Sequence, residues 1–114
     1  MTDCLFCKIN NGDIPADILY QDDDVTVFRD ISAQAPTHFL VIPKRHISTI
    51  NDLEPSDTEV VGKMFLAASK VTKQEGVSES GFRTVMNCNG DGGQTVFHIH
   101  LHVLGGRALT WPPG

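Results

Sequence analysis

The chain has 114 residues, of which 40% are hydrophobic and 20% charged, and its formal net charge is −5 at pH 7. This length predicts one domain, residues 1–114, that can bury a core without disulfides, and three cysteines argue against a disulfide framework. The negative charge argues against nucleic-acid polymer as a partner but allows a small nucleotide, which needs only a local site. Because no long apolar run or leader is visible, we expect a cytoplasmic protein with no membrane partner.

The N-terminal half of the chain predicts a short helix followed by three strands. The helical turn is expected over residues 5–11, where Asn11-Gly12 would end it. Residues 18–20 and 25–30 read as a hairpin joined by polar turn residues. Residues 38–43 form a short apolar strand bounded by prolines.

The strongest helix in the chain lies in the middle. Ser56 and Glu59 have the spacing of a capping box, with Ser56 as the N-cap and Glu59 at N3. Apolar residues then recur at helical spacing as far as Val71, and Gly76 suits the C-terminal stop. This apolar stripe is interpreted as core packing.

The C-terminal third predicts two further strands. They are expected over residues 82–87 and 95–104, separated by a glycine-rich turn over 89–93. Strands joined by short turns, together with one long helix, indicate an antiparallel α+β domain. One helix covers one face of such a sheet, so we expect the other face to form a cleft or to pack on something else.

Three histidines alternate with apolar residues near the C-terminus. In an extended chain His98, His100 and His102 share one face, about 6.6 Å apart from one to the next, and the intervening apolar residues share the other. Three imidazoles on one ridge can divide the roles of nucleophile, acid/base and orienter. They can equally hold a metal ion, and the residues of the ridge alone leave both interpretations open.

The wider sequence resembles the Hint branch of the histidine triad (HIT) superfamily. The resemblance rests on the His-φ-His-φ-His-φ-φ motif, where φ is apolar, and on three further segments. These are residues 98–104 for the motif, then 30–47, 92–98 and the tail over 104–114. It implies a HIT-like fold, an antiparallel sheet of about five strands with one long and one short helix. It also implies a purine nucleoside phosphoramidase that cleaves P–N bonds, including those of aminoacyl-adenylates, with no cofactor required for catalysis.

The resemblance assigns catalytic roles to four histidines. His100 is expected to attack phosphorus and form a covalent nucleotidyl-histidine, which water then hydrolyses. His102 would hydrogen-bond the phosphate oxygens and assist proton transfer to the leaving amine. His98 would orient the network, and His38 would join it from a different strand.

The resemblance also places the substrate, a purine nucleotide of the AMP or GMP type. Asn87, Gln94 and Thr95 would surround the phosphate, and Asp30 would accept hydrogen bonds from the ribose hydroxyls. The apolar slot for the base would be lined by Leu5, Phe6, Phe28 and Ile31. Read from the residues alone, Asp30 could simply cap a turn, and Phe28 and Ile31 could be plain core.

Cys4 and Cys7 form a C-x-x-C pair without a second pair. Alone, the pair is compatible with half of a zinc site, a redox couple or two small apolar residues, although no βαβ pattern supports the redox reading. The resemblance adds His46 and His98, which gives a hypothetical structural zinc site of four ligands.

The resemblance finally implies a homodimer whose two sheets join edge to edge, which would protect an exposed strand edge. The tail through Trp111 would then lie near the partner's active site and help to select the leaving group, although Trp111 could instead be an ordinary hydrophobic anchor. Two rival functions remain: a zinc-dependent hydrolase that uses the histidine ridge, and a nucleotide-binding scaffold whose hydrolysis is incidental.

Overall fold

The computed structural model describes residues 3–114. Five strands form one antiparallel sheet in the order β1-β2-β3-β5-β4, which confirms the α+β prediction. The elements are α1 (Leu5–Asn10), β1 (Ile18–Gln21), β2 (Val25–Arg29), β3 (Thr37–Pro43), α2 (Thr58–Gln74), β4 (Phe82–Val85), α3 (Asn89–Gly92) and β5 (Leu101–Gly105). Among residues 3–114, no helix has both the length and the apolar character needed to cross a membrane.

One face of the sheet packs against α2. The central strand β3 is buried along its whole length because β2 and β5 flank it and both of its faces are covered. Phe39 lies opposite Val103, and their side chains are buried in the same cluster as Met64 and Val71 of α2. This cluster is the main core of the protein.

The second face of the sheet is covered by the short helix α1. Phe6 and Ile9 are buried in a separate cluster with Phe28, Leu40 and Ile42. Phe28 lies opposite Leu40 in the β2–β3 register, so both side chains point to this face. The short N-terminal helix therefore covers part of the face that α2 leaves open, and the remainder forms a cleft.

The start of α2 differs from the prediction. Ser56 is not the N-cap, because residues 55–57 form a 3₁₀ turn and α2 begins at Thr58. The carboxylate of Asp57 accepts a hydrogen bond from the Glu54 amide at 2.8 Å and pairs with Arg45. A carboxylate that gains both contacts when buried competes successfully with the serine hydroxyl for control of the helix start.

The end of α2 agrees with the prediction. Gly76 has a φ of +77°, and the amide of Val77 donates to the carbonyl of Thr72 at 3.0 Å. Together with a bond from the Gly76 amide to the Lys73 carbonyl, this is a Schellman motif, in which glycine adopts the left-handed conformation without strain.

The predicted strand over residues 95–104 is wrong in its first half. Regular pairing begins only at Leu101, and residues 95–100 form an irregular segment outside the sheet. The amide of Ile99 donates to the carbonyl of Ile47 at 2.7 Å, so this segment is held by a loop instead of a strand. The alternation nevertheless persists, because Ile99 and Leu101 lie in the α2 core while His98 and His100 lie on the α1 face.

Candidate active site

A cleft of about 650 Å³ opens beside the histidine segment on the α1 face of the sheet. Two of the three alternating histidines, His100 and His102, line it. Six further predicted substrate residues are also lining residues: Leu5, Phe6, Phe28, Asp30, Asn87 and Thr95. Ile31 contributes as well, although its side chain is fully exposed and lies at the rim. The cavity has the size and the mixed lining of a small-molecule site.

The hydrogen bond of His100 fixes which of its ring nitrogens carries the proton. Nδ1 lies 2.8 Å from the carbonyl oxygen of His98. A carbonyl only accepts hydrogen bonds, so Nδ1 must be protonated and Nε2 keeps its lone pair. The ring is buried, and the edge-on ring of Phe6 lies 5.0 Å from it. In the neutral tautomer that this hydrogen bond selects, Nε2 of His100 is the nitrogen available as a nucleophile.

A second chain of hydrogen bonds fixes the protons of His38 and His102. The amide of Gln34 donates to Nδ1 of His38 at 3.0 Å, so the proton of a neutral His38 is on Nε2. Nε2 lies 2.9 Å from Nδ1 of His102, which consequently accepts. His102 then carries its own proton on Nε2, the nitrogen left for a group bound in the cleft.

The carboxylate of Asp30 lies beside both histidines of this chain of hydrogen bonds. Its Oδ2 lies 3.3 Å from Nε2 of His38 and 3.8 Å from Nδ1 of His102, and its Oδ1 accepts from the Ser32 amide at 2.8 Å. Burial lowers the pKa of His38, although the nearby Asp30 carboxylate opposes this shift. Burial, assisted by the other histidines, also lowers the pKa of His102 to about 4. His38 and His102 are therefore both neutral at pH 7.

The loop before the histidines is built around Gln94. Its Oε1 accepts from the Asn89 amide at 2.9 Å, and its Nε2 donates to the carbonyls of Ser48 at 2.8 Å and Val96 at 3.1 Å. The side chain is buried and does not line the cleft. Asn87 and Thr95 line the cleft, whereas the amide of Gln94 is bonded to the backbone of the loop and shapes it.

The apolar end of the cleft contains residues that sequence reasoning did not single out. Among them are Ile9, Ile14, Leu40 and Val96. The ion pair of Asp17 and Arg29 also lines the cleft. Leu40 lies opposite His102 in the β3–β5 register. Its position two residues after His38 places it on the histidine face of β3, a period-two signal that was available in the sequence.

A second group of side chains lies behind His98. Nδ1 of His98 is 3.4 Å from Sγ of Cys4, 3.6 Å from Sγ of Cys7 and 3.2 Å from Nδ1 of His46, while Cys7 and His46 are 3.3 Å apart. We call Cys4, Cys7, His46 and His98 the Cys/His cluster. A tetrahedral zinc ion, with bonds of about 2.05 Å to nitrogen and 2.3 Å to sulfur, holds its ligands about 3.3–3.8 Å apart. The measured separations fit such an ion.

Hydrogen bonding also prepares the Cys/His cluster for a cation. Nε2 of His98 donates to the carbonyl of Pro43 at 2.9 Å, which leaves Nδ1 as a lone pair facing the cysteines. Burial lowers the pKa of His98 to about 4, which keeps the ring neutral.

Asp30, His38 and His102 form another group of potential ligands, but their protons argue against a metal there. A neutral histidine that binds metal through Nε2 carries its proton on Nδ1. The Gln34 amide already donates to Nδ1 of His38, so two donors would face each other. This group suits a proton-bearing network, whereas the Cys/His cluster suits a cation.

Comparisons with known proteins agree with this geometry. Residues 11–109 match the model of the HIT domain. The chain belongs to the HIT family. It is 53% identical over 105 residues to the purine nucleoside phosphoramidase of Escherichia coli K12, a match covering 92% of this chain and 88% of that protein. It is 47% identical over 112 residues to an uncharacterised HIT-like protein of Synechococcus elongatus, covering 98% and 97%.

Solved structures show the same HIT architecture. A HIT family hydrolase from Legionella pneumophila superposes with a TM-score of 0.97 at 54% identity, covering 98% of this chain and all of that one. A histidine triad protein from Clostridium difficile gives a TM-score of 0.93 at 41% identity, covering 96% of each chain.

The tail of this HIT domain lies apart from the cleft of its own chain. Trp111 is 80% exposed and is not a lining residue. Arg83 holds the tail by donating to the carbonyls of Leu109 at 3.2 Å and Thr110 at 2.9 Å, and its guanidinium lies 6.0 Å from the Trp111 ring centre. Trp111 therefore lies beside Arg83 of β4, an edge strand of the sheet.

Proposed function

We propose that the protein is a purine nucleoside phosphoramidase that cleaves P–N bonds through a covalent nucleotidyl intermediate on His100. The observation that carries the proposal is the bond from Nδ1–H of His100 to the His98 carbonyl, which leaves Nε2 as the nucleophile. The name of the Escherichia coli relative supports the reaction class.

In the first step Nε2 of His100 attacks phosphorus. The new N–P bond forms as the substrate's P–N bond breaks, and the leaving amine takes up a proton from solvent, a transfer that His102 assists. In the second step water attacks phosphorus, the bond from phosphorus to Nε2 of His100 breaks, and the attacking water releases a proton to solvent. The products are the nucleoside monophosphate and free His100. Splitting the reaction in this way replaces one difficult displacement by two easier ones.

The remaining cleft residues bind the nucleotide. Asn87 and Thr95 contact the phosphate, while Asp30 accepts from the ribose hydroxyls and also holds His38. Gln94 acts as a positioning residue, because its amide is already bonded to three backbone groups. The base lies in the slot whose apolar walls are Leu5, Phe6, Phe28 and Ile31.

The Cys/His cluster holds a structural Zn²⁺ ion in this proposal. Its donor set of two thiolates and two imidazoles and its separations are those that zinc prefers. In this proposal catalysis itself requires no metal, because Nε2 of His100 supplies the nucleophile and the phosphate is met by hydrogen-bond donors.

A homodimer completes the site. The sheet ends at β4, whose outer edge is unpaired within the described residues, and edge pairing with a second copy would cover it. The exposed Trp111 beside β4 would then reach the partner's cleft and help to select the leaving amine. Sedimentation equilibrium tests the dimer, and Trp111→Ala scored against several leaving amines tests the tail. A monomer would exclude the first proposal, and unchanged selectivity the second.

The decisive kinetic experiment is steady-state cleavage of adenosine and guanosine phosphoramidates by wild type and His100→Ala, with zinc content measured on the same samples. We expect His100→Ala to lose at least about 10³-fold in kcat. The exposed-site variant Glu79→Gln, prepared in parallel, should match wild type. Retained activity in His100→Ala would overturn the assignment.

Two further observations separate the rival functions. Activity that survives strong chelation would exclude a zinc-dependent hydrolase that uses the histidine ridge. Turnover well above the rate in solution would exclude a scaffold whose hydrolysis is incidental.

A further inference from the structure

Helix α1 belongs to two sites at once. Cys4 lies at its N-cap, where Sγ accepts from the Cys7 amide at 3.4 Å, and both cysteines enter the Cys/His cluster. The two residues between them, Leu5 and Phe6, line the cleft. One helical turn therefore presents its sulfur atoms to the cluster and its apolar side chains to the nucleotide slot.

Phe6 connects the slot to the histidine segment. Its buried ring lies edge-on to Phe28, with ring centres 5.5 Å apart, and edge-on to His100 and His98 at 5.0 and 6.0 Å. A shift of α1 would consequently move a wall of the slot relative to the nucleophile.

The two partners that the cluster joins differ in their other anchors. His98 is fully buried and is held independently of the cluster by its bond to the Pro43 carbonyl. Helix α1 has only six residues, too few to be stable alone. Its C-terminal end is anchored by Asn10, whose Nδ2 donates to the Pro43 carbonyl at 3.0 Å and whose Oδ1 accepts from Oγ1 of Thr26 at 2.8 Å, whereas its first turn docks through the buried Phe6 and the cluster. Loss of the cluster should therefore loosen the first turn of α1 before it disturbs His98 or the carbonyl that orients His100.

We propose that the Cys/His cluster is a positioning device for the nucleotide slot, so that a thiolate-binding cation and the nucleotide bind with positive linkage. A cation on the four ligands ties α1 to the loop of His46 and to His98, and this holds Phe6 in the place that the base requires. Whichever of the two ligands binds first orders α1, so the second ligand binds without that entropic cost. This inference rests on the proposed function for the identity of the nucleotide.

Thermodynamic linkage requires that Zn²⁺ change the affinity for the nucleotide by the same factor as the nucleotide changes the affinity for Zn²⁺. If Zn²⁺ raises the affinity for a nucleoside monophosphate by about 10-fold, a typical coupling, the nucleotide must raise the affinity for Zn²⁺ by the same factor. The kinetic counterpart is a rise in KM of similar size when zinc is removed, with kcat much less affected, because His98 keeps its second anchor.

The test measures both affinities directly. Zn²⁺ binding is followed by competition with a chromophoric chelator, with and without saturating AMP or GMP, and nucleotide binding to zinc-loaded and zinc-free protein is followed by calorimetry. Cys4→Ser should weaken Zn²⁺ and nucleotide binding together. Cys88→Ser, the matched change outside the cluster, should alter neither.

The outcomes separate this inference from the proposed function. Equal Zn²⁺ affinity with and without nucleotide, or no Zn²⁺ binding at all, would overturn the linkage while normal nucleotide binding leaves the proposed function intact. Failure of both monophosphates to bind either form of the protein would overturn the proposed function and the linkage with it.

Discussion

The partly buried, neutral state of His102 predicts a specific loss of stability in acid. The pKa of an unfolded histidine is about 6.5, whereas burial lowers the pKa of His102 in the folded protein to about 4. Between pH 6.5 and pH 4, His102 is protonated in the unfolded chain but stays neutral in the folded protein. The folded state is therefore destabilised as the pH falls through this range. Above pH 6.5 both states are neutral and the effect vanishes.

The size of this effect follows from the two pKa values. At pH 5, which lies about 1.5 units below the pKa of the unfolded histidine, the folded and unfolded states differ in proton-binding free energy by about 2 kcal/mol. Because the His102 side chain is 20% exposed, solvent reduces this to about 1–2 kcal/mol. In His102→Asn the side-chain oxygen can still accept from His38, but the titrating group is gone.

Urea denaturation of both proteins at pH 7 and pH 5, at a fixed zinc level, provides the assay. When the pH is lowered from 7 to 5, we expect the free energy of unfolding of wild type to fall by about 1–2 kcal/mol more than that of His102→Asn. Because Nε2 of His38 lies 2.9 Å from His102, the substitution also changes the surroundings of His38, whose pKa is lowered by burial, so the titration of His38 is followed by NMR in both proteins and its contribution is subtracted. Equal losses in the two proteins, or a His102 imidazole that titrates near pH 6.5 by NMR, would refute the reasoning.

Two other predictions concern stability. Arg45→Met removes the ion-pair partner of Asp57, which is 1% exposed, and should lower the free energy of unfolding by about 1–3 kcal/mol in urea denaturation. The control Lys44→Met should lower it much less, and equal effects of the two substitutions would contradict a role for the ion pair. Gly106→Ala forces a side chain onto a φ of +92° with its Cβ 2.9 Å from Pro36, so we expect a loss of about 2–4 kcal/mol, and a Tm equal to that of wild type would show that the close approach is relieved without cost.

The sequence predicted the histidine face because alternation depends on an extended backbone and not on sheet pairing. For the same reason it misplaced the start of β5, since residues 95–100 keep the alternation while Ile99 bonds to a loop. Competition between neighbouring caps was also hidden: Asp57 displaced Ser56 through contacts with Glu54 and Arg45 that arise only in the folded chain.

The candidate site shows the same division. The family resemblance predicted that His100, Asn87 and Thr95 share one site, and all three line the same cleft. Residue types and spacing could not show that the amide of Gln94 is occupied by backbone groups. Nor could spacing alone show that His98 serves two neighbours, with its carbonyl bonded to His100 and its ring turned towards the cysteines.

The central claim is covalent catalysis by His100, and trapping the intermediate tests it most directly. Wild-type protein mixed with a phosphate-labelled adenosine phosphoramidate and quenched within milliseconds should carry label, and peptide mapping should locate it on Nε2 of His100. The adduct should form and decay at rates compatible with turnover. Rapid turnover with no labelled protein, or label on another histidine, would contradict the account.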